Sequence, residues 1–253
     1  MSRSNDLAFK DHFSARSADY ALYRPAYPPA LAAYLARQAP GRRAALDGAC
    51  GTGQLSTVLA AAFEQVFAID ASARQIAHAT PHPRVDYRVA RCEETGMAGA
   101  SLDLLTVAQA AHWLDLDPFY AEARRVLRPG GVLALITYGA TKLEGEAGHV
   151  LDRFYAETLG PFWPPERRHV ETGYRLLPFP FEEESAPELA IEARWPLAAL
   201  LGYVDTWSAV RNLERAFGRE PYERFAADLS AAWGDPRRTM ALRWPLSLRV
   251  GRV

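Results

Sequence analysis

The sequence predicts an α/β fold built on a doubly wound parallel sheet, and three observations carry that expectation. Between residues 41 and 139, short apolar runs alternate with segments of helical spacing. The first of those runs meets its helix through a glycine-rich turn, Leu46-Asp47-Gly48-Ala49-Cys50-Gly51-Thr52-Gly53-Gln54. The second run, Val66-Phe67-Ala68-Ile69, ends in an acid, Asp70.

Taken in order, residues 1–40 read as helix-rich. A helix is expected from Ser14 to Tyr23, Arg24-Pro25 and Pro28-Pro29 interrupt the pattern, and a second helix covers Ala30 to Gln38. In the alternating part, strands are expected at 44–47, 65–70, 85–89, 102–108 and 132–138, with helices at 54–63, 72–79 and 117–127. Leu55, Val58, Leu59 and Ala62 share one face of the helix after the turn. Asp117-Pro118 supplies an N-cap acid and a first-turn proline for the helix at 117, and Arg128-Pro129-Gly130-Gly131 stops it. Past residue 140 the pattern changes: every tryptophan except Trp113 lies there, among many prolines. Helical stretches near 147–160 and 197–232 are expected to cap the carboxyl ends of the strands, where ligands sit in open α/β sheets.

Composition narrows the possibilities. A chain of 253 residues suits one large domain, or one domain with an inserted lid. Hydrophobic residues make up 49% of it, ample for a core. Charge is balanced, with 29 Lys and Arg against 30 Asp and Glu, so no nucleic-acid footprint is expected. The locally basic stretch Arg237 to Arg252 reads as a solvated strand face. Cys50 and Cys92 belong to no metal-spaced cluster, so neither a metal nor a disulfide is expected. No apolar run reaches membrane-spanning length, and residues 1–20 are too charged for a signal peptide, which makes the cytoplasm the expected compartment.

The turn carries the chemistry. Glycines let a ligand approach the backbone, and an acid at the end of the second strand is placed to accept hydrogen bonds from ribose hydroxyls. Strand, glycine turn, helix, strand and acid together form the layout of a nucleoside-cofactor site. A dinucleotide site wants a glycine three residues after Gly53, where Ser56 stands, and Asp47 in the turn would repel a pyrophosphate. An ammonium would be attracted instead. S-adenosylmethionine, with an ammonium and no phosphate, suits the turn better.

Asp47-x-Ala49-x-Gly51-x-Gly53 resembles motif I of class I S-adenosylmethionine-dependent methyltransferases, with Ala49 where the family usually has its first glycine. That exchange is mild if φ at Ala49 is negative. Phe67 to Ser72 resembles the family's ribose-binding strand end, Leu102 to Ala110 its fourth strand, and Leu127 to Leu133 the turn into its fifth. A narrower similarity, to the trans-aconitate-methyltransferase-like branch, rests on Tyr23-Arg24-Pro25-Ala26-Tyr27-Pro28, Ala108 to Trp113, Thr206-Trp207-Ser208 and Arg243-Trp244-Pro245-Leu246. The resemblance implies a Rossmann-like seven-stranded sheet with a helical C-terminal cap. The implied division is an N-terminal helical segment over the cofactor (1–40), a cofactor-binding core (41–139), a cap and substrate region (140–239), and one or two terminal strands completing the sheet (240–253).

The resemblance also places residues. Asp47, Gly48, Ala49, Gly51, Gly53, Gln54, Asp70, Ala71, Cys92, Glu93, Gln109 and Arg24 are the expected cofactor contacts, with Asp47 near the amino end and Arg24 able to meet the methionine carboxylate. Asp70 can alternatively cap the next helix, Asp47 can bond only to the turn, Glu93 can be an exposed loop acid, and Arg24 can pair with a surface acid. His112 lies where a base or donor could work, and a purely structural histidine is an equal reading. Trp113, Tyr20, Tyr23, Trp163 and Trp207 are candidate acceptor contacts; Tyr174 and Arg211 are further cap residues.

The expected activity is methyl transfer to a small-molecule acceptor, with a carboxylate among the candidates. A carboxylate is already ionised and needs no base; a phenol, amine or carbon acid would need His112 or a tyrosine to take its proton. A cofactor-binding regulator without catalysis and an NAD(P)-dependent oxidoreductase are the rival readings.

Overall fold

The structure, a computed structural model, describes residues 25–253. Tyr20, Tyr23, Arg24 and the helix expected over 14–23 therefore lie outside the described residues.

The chain enters through helix α1 (Pro29–Gln38), which a proline starts and which buries Leu31, Tyr34 and Leu35. Five parallel strands follow: β1 (Ala44–Gly48), β2 (Gln65–Asp70), β3 (Val85–Val89), β4 (Leu102–Ala108) and β5 (Leu127–Tyr138). Helices α2 (Gln54–Leu59), α3 (Ala73–Ala77) and α4 (Leu116–Val126) connect them. Helix α2 is shorter than its apolar spacing suggests, because Ala61 and Ala62 bond back three residues and tighten the end into a turn. Both sheet faces are covered, so neighbouring strand residues serve opposite cores. Leu104, Ala134 and Ile136 join one cluster with α1 and α2, while Leu105, Leu133 and Leu135 join the other with α4.

Beyond β5 come β6 (Lys142–Leu143), α5 (Gly145–Arg153), α6 (Arg167–Glu171), β7 (Glu182–Glu184), β8 (Leu189–Pro196), α7 (Leu197–Asp205), α8 (Ser208–Phe217), α9 (Glu220–Trp233) and the long strand β9 (Thr239–Arg252). Among the described residues the sheet has nine strand segments, but they fill seven positions. Strand β5 pairs with the second half of β9, and β6 continues the same antiparallel edge along its first half. On the opposite edge, β7 and β8 pair with the second and first halves. The region 140–239 is thus not helical throughout: β7 and β8 complete the sheet, and β9 lies inside it. Helices α5 and α7 to α9 extend the core on the α1 side, where Phe154 and Phe225 stack at 3.8 Å. The α6 segment crosses to the other face and buries Val170, Tyr174 and Leu177.

Candidate active site

A cavity of about 620 Å³ opens at the carboxyl ends of β1, β2, β4 and β5, within the range of small-molecule sites. Two buried carboxylates mark one end. Asp47, 1% exposed, accepts hydrogen bonds from the Ser56 hydroxyl at 2.6 Å and the Thr106 hydroxyl at 2.9 Å. Burial pushes its pKa up to about 6, against the pull of those two hydroxyls. Asp70 accepts from the Gly51 N–H at 2.9 Å and the Ser72 N–H at 2.8 Å, so it joins the glycine turn to the start of α3. Ser72 in turn caps α3 through the Gln75 N–H at 3.3 Å.

The turn is tighter than its sequence suggests. Ala49 has φ of +52°, not the negative value its side chain prefers, so the exchange from glycine is strained. Gly51 has φ of +57° and Gly53 +87°. A side chain on Gly53 would meet the Tyr87 hydroxyl at 2.2 Å, and one on Gly48 would meet Cys92 Sγ at 2.9 Å. These two glycines do not line the cavity. They let neighbouring strands and loops close around the turn. Ala49, Gly51, Gln54, Ala71 and Cys92 do line it. Both thiols are free and buried, and burial raises the pKa of each.

Glu93 also lines the cavity, and its carboxylate accepts from the Asp115 N–H at 3.1 Å. It thereby ties the loop after β3 to the start of α4, a role beyond that of a solvated loop acid.

The other end is built by the turn after β4. Gln109 sits in the left-handed region at φ +58°. Its amide donates to the Tyr138 carbonyl at 2.9 Å and accepts from the Thr137 hydroxyl at 2.9 Å, locking β4 to β5. That commitment leaves Gln109 a wall of the cavity more than a free hydrogen-bonding arm. The following 3₁₀ turn (Ala111–Trp113) presents His112 and Trp113, whose rings lie 4.7 Å apart. His112 Nδ1 is 3.0 Å from the Tyr174 hydroxyl. Burial lowers the His112 pKa to about 3, and the positive charge of Arg167 and the neighbouring His169 push the same way. The imidazole is therefore neutral across the physiological range.

Trp163 and Trp207, expected as acceptor contacts, do not line the cavity. They pack with each other at 5.7 Å and both meet Tyr155, inside the aromatic core of the cap. Their large apolar rings satisfy burial there, and Arg167 lies over the Trp163 ring at 4.6 Å. Of residues 140–239, Glu166 is the one described residue that reaches the cavity. Tyr27 and Tyr138 line it as well, edge to face at 6.2 Å, and were not among the expected contacts. The signal for both was present: Tyr27 lies inside the motif that carries the narrower resemblance, and Tyr138 ends a strand whose carboxyl end faces the site. Among the described residues there is no cluster of metal-ligating side chains, and no helix is long and apolar enough to cross a membrane.

The site's chemistry suits S-adenosylmethionine. A buried carboxylate held by the Ser56 and Thr106 hydroxyls and the Ser56 backbone N–H suits a neighbouring cation, and a second carboxylate stands at the end of β2, the place of a ribose acceptor. Comparison with known proteins agrees. Residues 46–135 match the methyltransferase domain family. A Dictyostelium discoideum protein assigned as a methyltransferase is 33% identical over 216 residues, spanning 84% of this chain and 82% of its own. A Saccharomyces cerevisiae protein assigned as an S-adenosylmethionine-dependent methyltransferase is 30% identical over 131 residues, 48% of this chain and 45% of its own. A solved structure assigned as a type II methyltransferase of Anaeromyxobacter dehalogenans is 52% identical, with a TM-score of 0.87, over 91% of this chain and 98% of that one. Kinship along nearly the whole chain, and not only across the glycine turn, speaks against the oxidoreductase and the non-catalytic readings, and the chain belongs to the class I S-adenosylmethionine-dependent methyltransferases.

Proposed function

We propose that the enzyme methylates a carboxylate oxygen of a small-molecule acceptor, seated between the cofactor turn and the turn that carries His112 and Trp113. When bound, the cofactor supplies a methyl on a cationic sulfur; an acceptor oxygen takes the methyl in line, and the sulfur is left as a neutral thioether. Asp47 would hold the cofactor's ammonium and Asp70 its ribose. The rings of Tyr27, Tyr138 and Trp113 exclude water and offer apolar faces to a cation.

The single observation that carries the choice of acceptor is the state of His112. A base with a pKa of about 3 has little driving force to take a proton from a phenol, an amine or a carbon acid. A carboxylate arrives ionised and asks only for hydrogen-bond donors and a favourable field. Neutral His112 can donate, and Arg167 adds positive potential. Glu166 opposes an anion in its immediate vicinity, so the carboxylate belongs on the His112 side. Two further points support the reading. A relative 39% identical over 108 residues, 41% of this chain and 43% of its own, is the malonyl-[acyl-carrier protein] O-methyltransferase of Enterobacter lignolyticus. The similarity to the trans-aconitate-methyltransferase-like branch points the same way.

The test is a panel of small mono-, di- and tricarboxylates, scored for labelled methyl ester formed from S-adenosylmethionine. Methyl esters should form, with no step in kcat across pH 6–8. His112→Ala should raise KM for the acceptor by roughly three- to tenfold, the value of one hydrogen bond, with affinity for S-adenosylhomocysteine intact. Methylation of phenols, amines or carbon acids with a histidine-range step that His112→Ala abolishes would replace this reading.

A further inference from the structure

The geometry points to Tyr174 as a positioning residue, one that holds His112 as a neutral ring with its proton on Nε2, aimed into the acceptor end of the cavity. This rests on the reading that His112 meets the acceptor.

Tyr174 is fully buried, and its hydroxyl lies 3.0 Å from His112 Nδ1, with the two rings 5.7 Å apart. Burial raises its pKa, so the phenol keeps its proton. That proton needs an acceptor. The Ala111 backbone N–H and the Thr137 hydroxyl also face the phenol; the first can only donate, and the second, whose proton goes to Gln109 Oε1 at 2.9 Å, has an oxygen able to accept but makes no hydrogen bond of normal geometry with the phenol. His112 Nδ1 is the acceptor within hydrogen-bond distance. A ring that accepts at Nδ1 and is neutral carries its hydrogen on Nε2. Nε2 has no partner among the described residues and is not sealed in the interior, while His112 lines the cavity.

The chain holds Tyr174 in an unfavourable backbone state to make this contact. Its φ is +64°, in the left-handed region that an aromatic residue rarely enters, directly after Gly173 at +60°. Arg249 of β9 holds the turn in place. Its guanidinium donates to the carbonyls of Tyr174 at 3.2 Å and Leu177 at 2.7 Å, and pairs with Glu183 at 2.8 Å. Tyr174 does not line the cavity, so it acts on the acceptor only through His112.

The experiment is a proton–nitrogen correlation spectrum of the imidazoles in protein labelled with ¹⁵N-histidine, with His112→Asn used to assign the resonance. In the wild type, His112 should show a bare, hydrogen-bonded Nδ1 and a protonated Nε2. A wild-type spectrum with the proton on Nδ1 overturns the proposal without any variant. In Tyr174→Phe, the His112 Nδ1 resonance should move by several ppm, because its donor is gone, while affinity for S-adenosylhomocysteine, measured by calorimetry, stays within twofold and reports an intact fold. An unmoved Nδ1 in that variant also overturns it. With trans-aconitate as the probe acceptor, KM should rise roughly three- to tenfold, the value of one hydrogen bond, and kcat should change less. A shifted Nδ1 with unchanged acceptor kinetics leaves Tyr174 holding the ring, and removes His112 from the acceptor site instead.

Discussion

Gly53→Ala isolates what the last glycine of the turn does. At φ +87°, any side chain is strained, which costs about 1–2 kcal/mol. Alanine returns about 0.4–1 kcal/mol by reducing the freedom of the unfolded chain. The new Cβ would also sit 2.2 Å from the Tyr87 hydroxyl and 2.8 Å from its Cζ, so the ring must leave. Leaving breaks the Tyr87 hydroxyl bond to the Thr80 carbonyl, now 2.8 Å, for about 0.5–1.5 kcal/mol more. A net loss of about 0.5–3 kcal/mol follows, worth about 2–4 °C in Tm for each kcal/mol at this chain length. Urea denaturation of Gly53→Ala, Tyr87→Ala and the double variant separates the parts. The cost of Gly53→Ala should be smaller in the Tyr87→Ala background by about 0.5–1.5 kcal/mol, the hydrogen-bond share. Equal costs in both backgrounds would show that Tyr87 is not what the glycine accommodates. A stable Gly53→Ala protein that no longer binds S-adenosylhomocysteine would make Gly53 a direct cofactor contact and refute its packing role.

Three more outcomes follow from the same geometry. Ala49→Gly should hold or raise stability, by up to about 1 kcal/mol, because it relieves a left-handed alanine; a drop in the urea midpoint would mean that the methyl group packs usefully there. Asp70→Ala should weaken S-adenosylhomocysteine binding by about 1.5–3 kcal/mol and also lower Tm, since Gly51 and Ser72 lose their acceptor; a calorimetric affinity equal to wild type would remove Asp70 from the site. Affinity for S-adenosylmethionine should be full above pH 6 and fall as pH drops through the Asp47 pKa of about 6, because a protonated Asp47 cannot attract the ammonium; Asp47→Asn should bind weakly at all pH values, and the same pH slope in that variant would assign the titration elsewhere.

The nucleoside half of the site was legible because it is local. Strand, turn, helix and terminal acid lie within residues 44–70, and each signals itself by spacing or residue type. Asp47, Asp70 and the turn therefore stand where the sequence places them. The sign of φ at Ala49 was not legible, since an alanine gives no hint that its neighbours force it left-handed. The proposed acceptor half is assembled across long separations: Tyr174 meets His112 from 62 residues away, and Tyr27 meets Tyr138 from the far end of the five-strand segment. Tryptophan content set the region past residue 140 apart, yet could not say which way the rings face. In Trp163 and Trp207 they face the cap's own interior. The strand β7 was missed because it is a run of three glutamates, and β8 because Glu192 and Arg194 break up its apolar residues; both run along β9.

The place of β9 inside the sheet sets an order of events during synthesis. Residues up to 138 can assemble five parallel strands as the chain emerges, but 182–196 has no edge to join until 239–252 has been made. Until then the outer side of β5 is also bare, an open strand edge on a growing polypeptide. Arg249 comes with that last strand, and it is the residue that holds the Gly173-Tyr174 turn against His112. The pocket that would hold the nucleoside can thus take shape early on the ribosome, whereas the turn that sets Tyr174 against His112 is fixed only once Arg249 has been made.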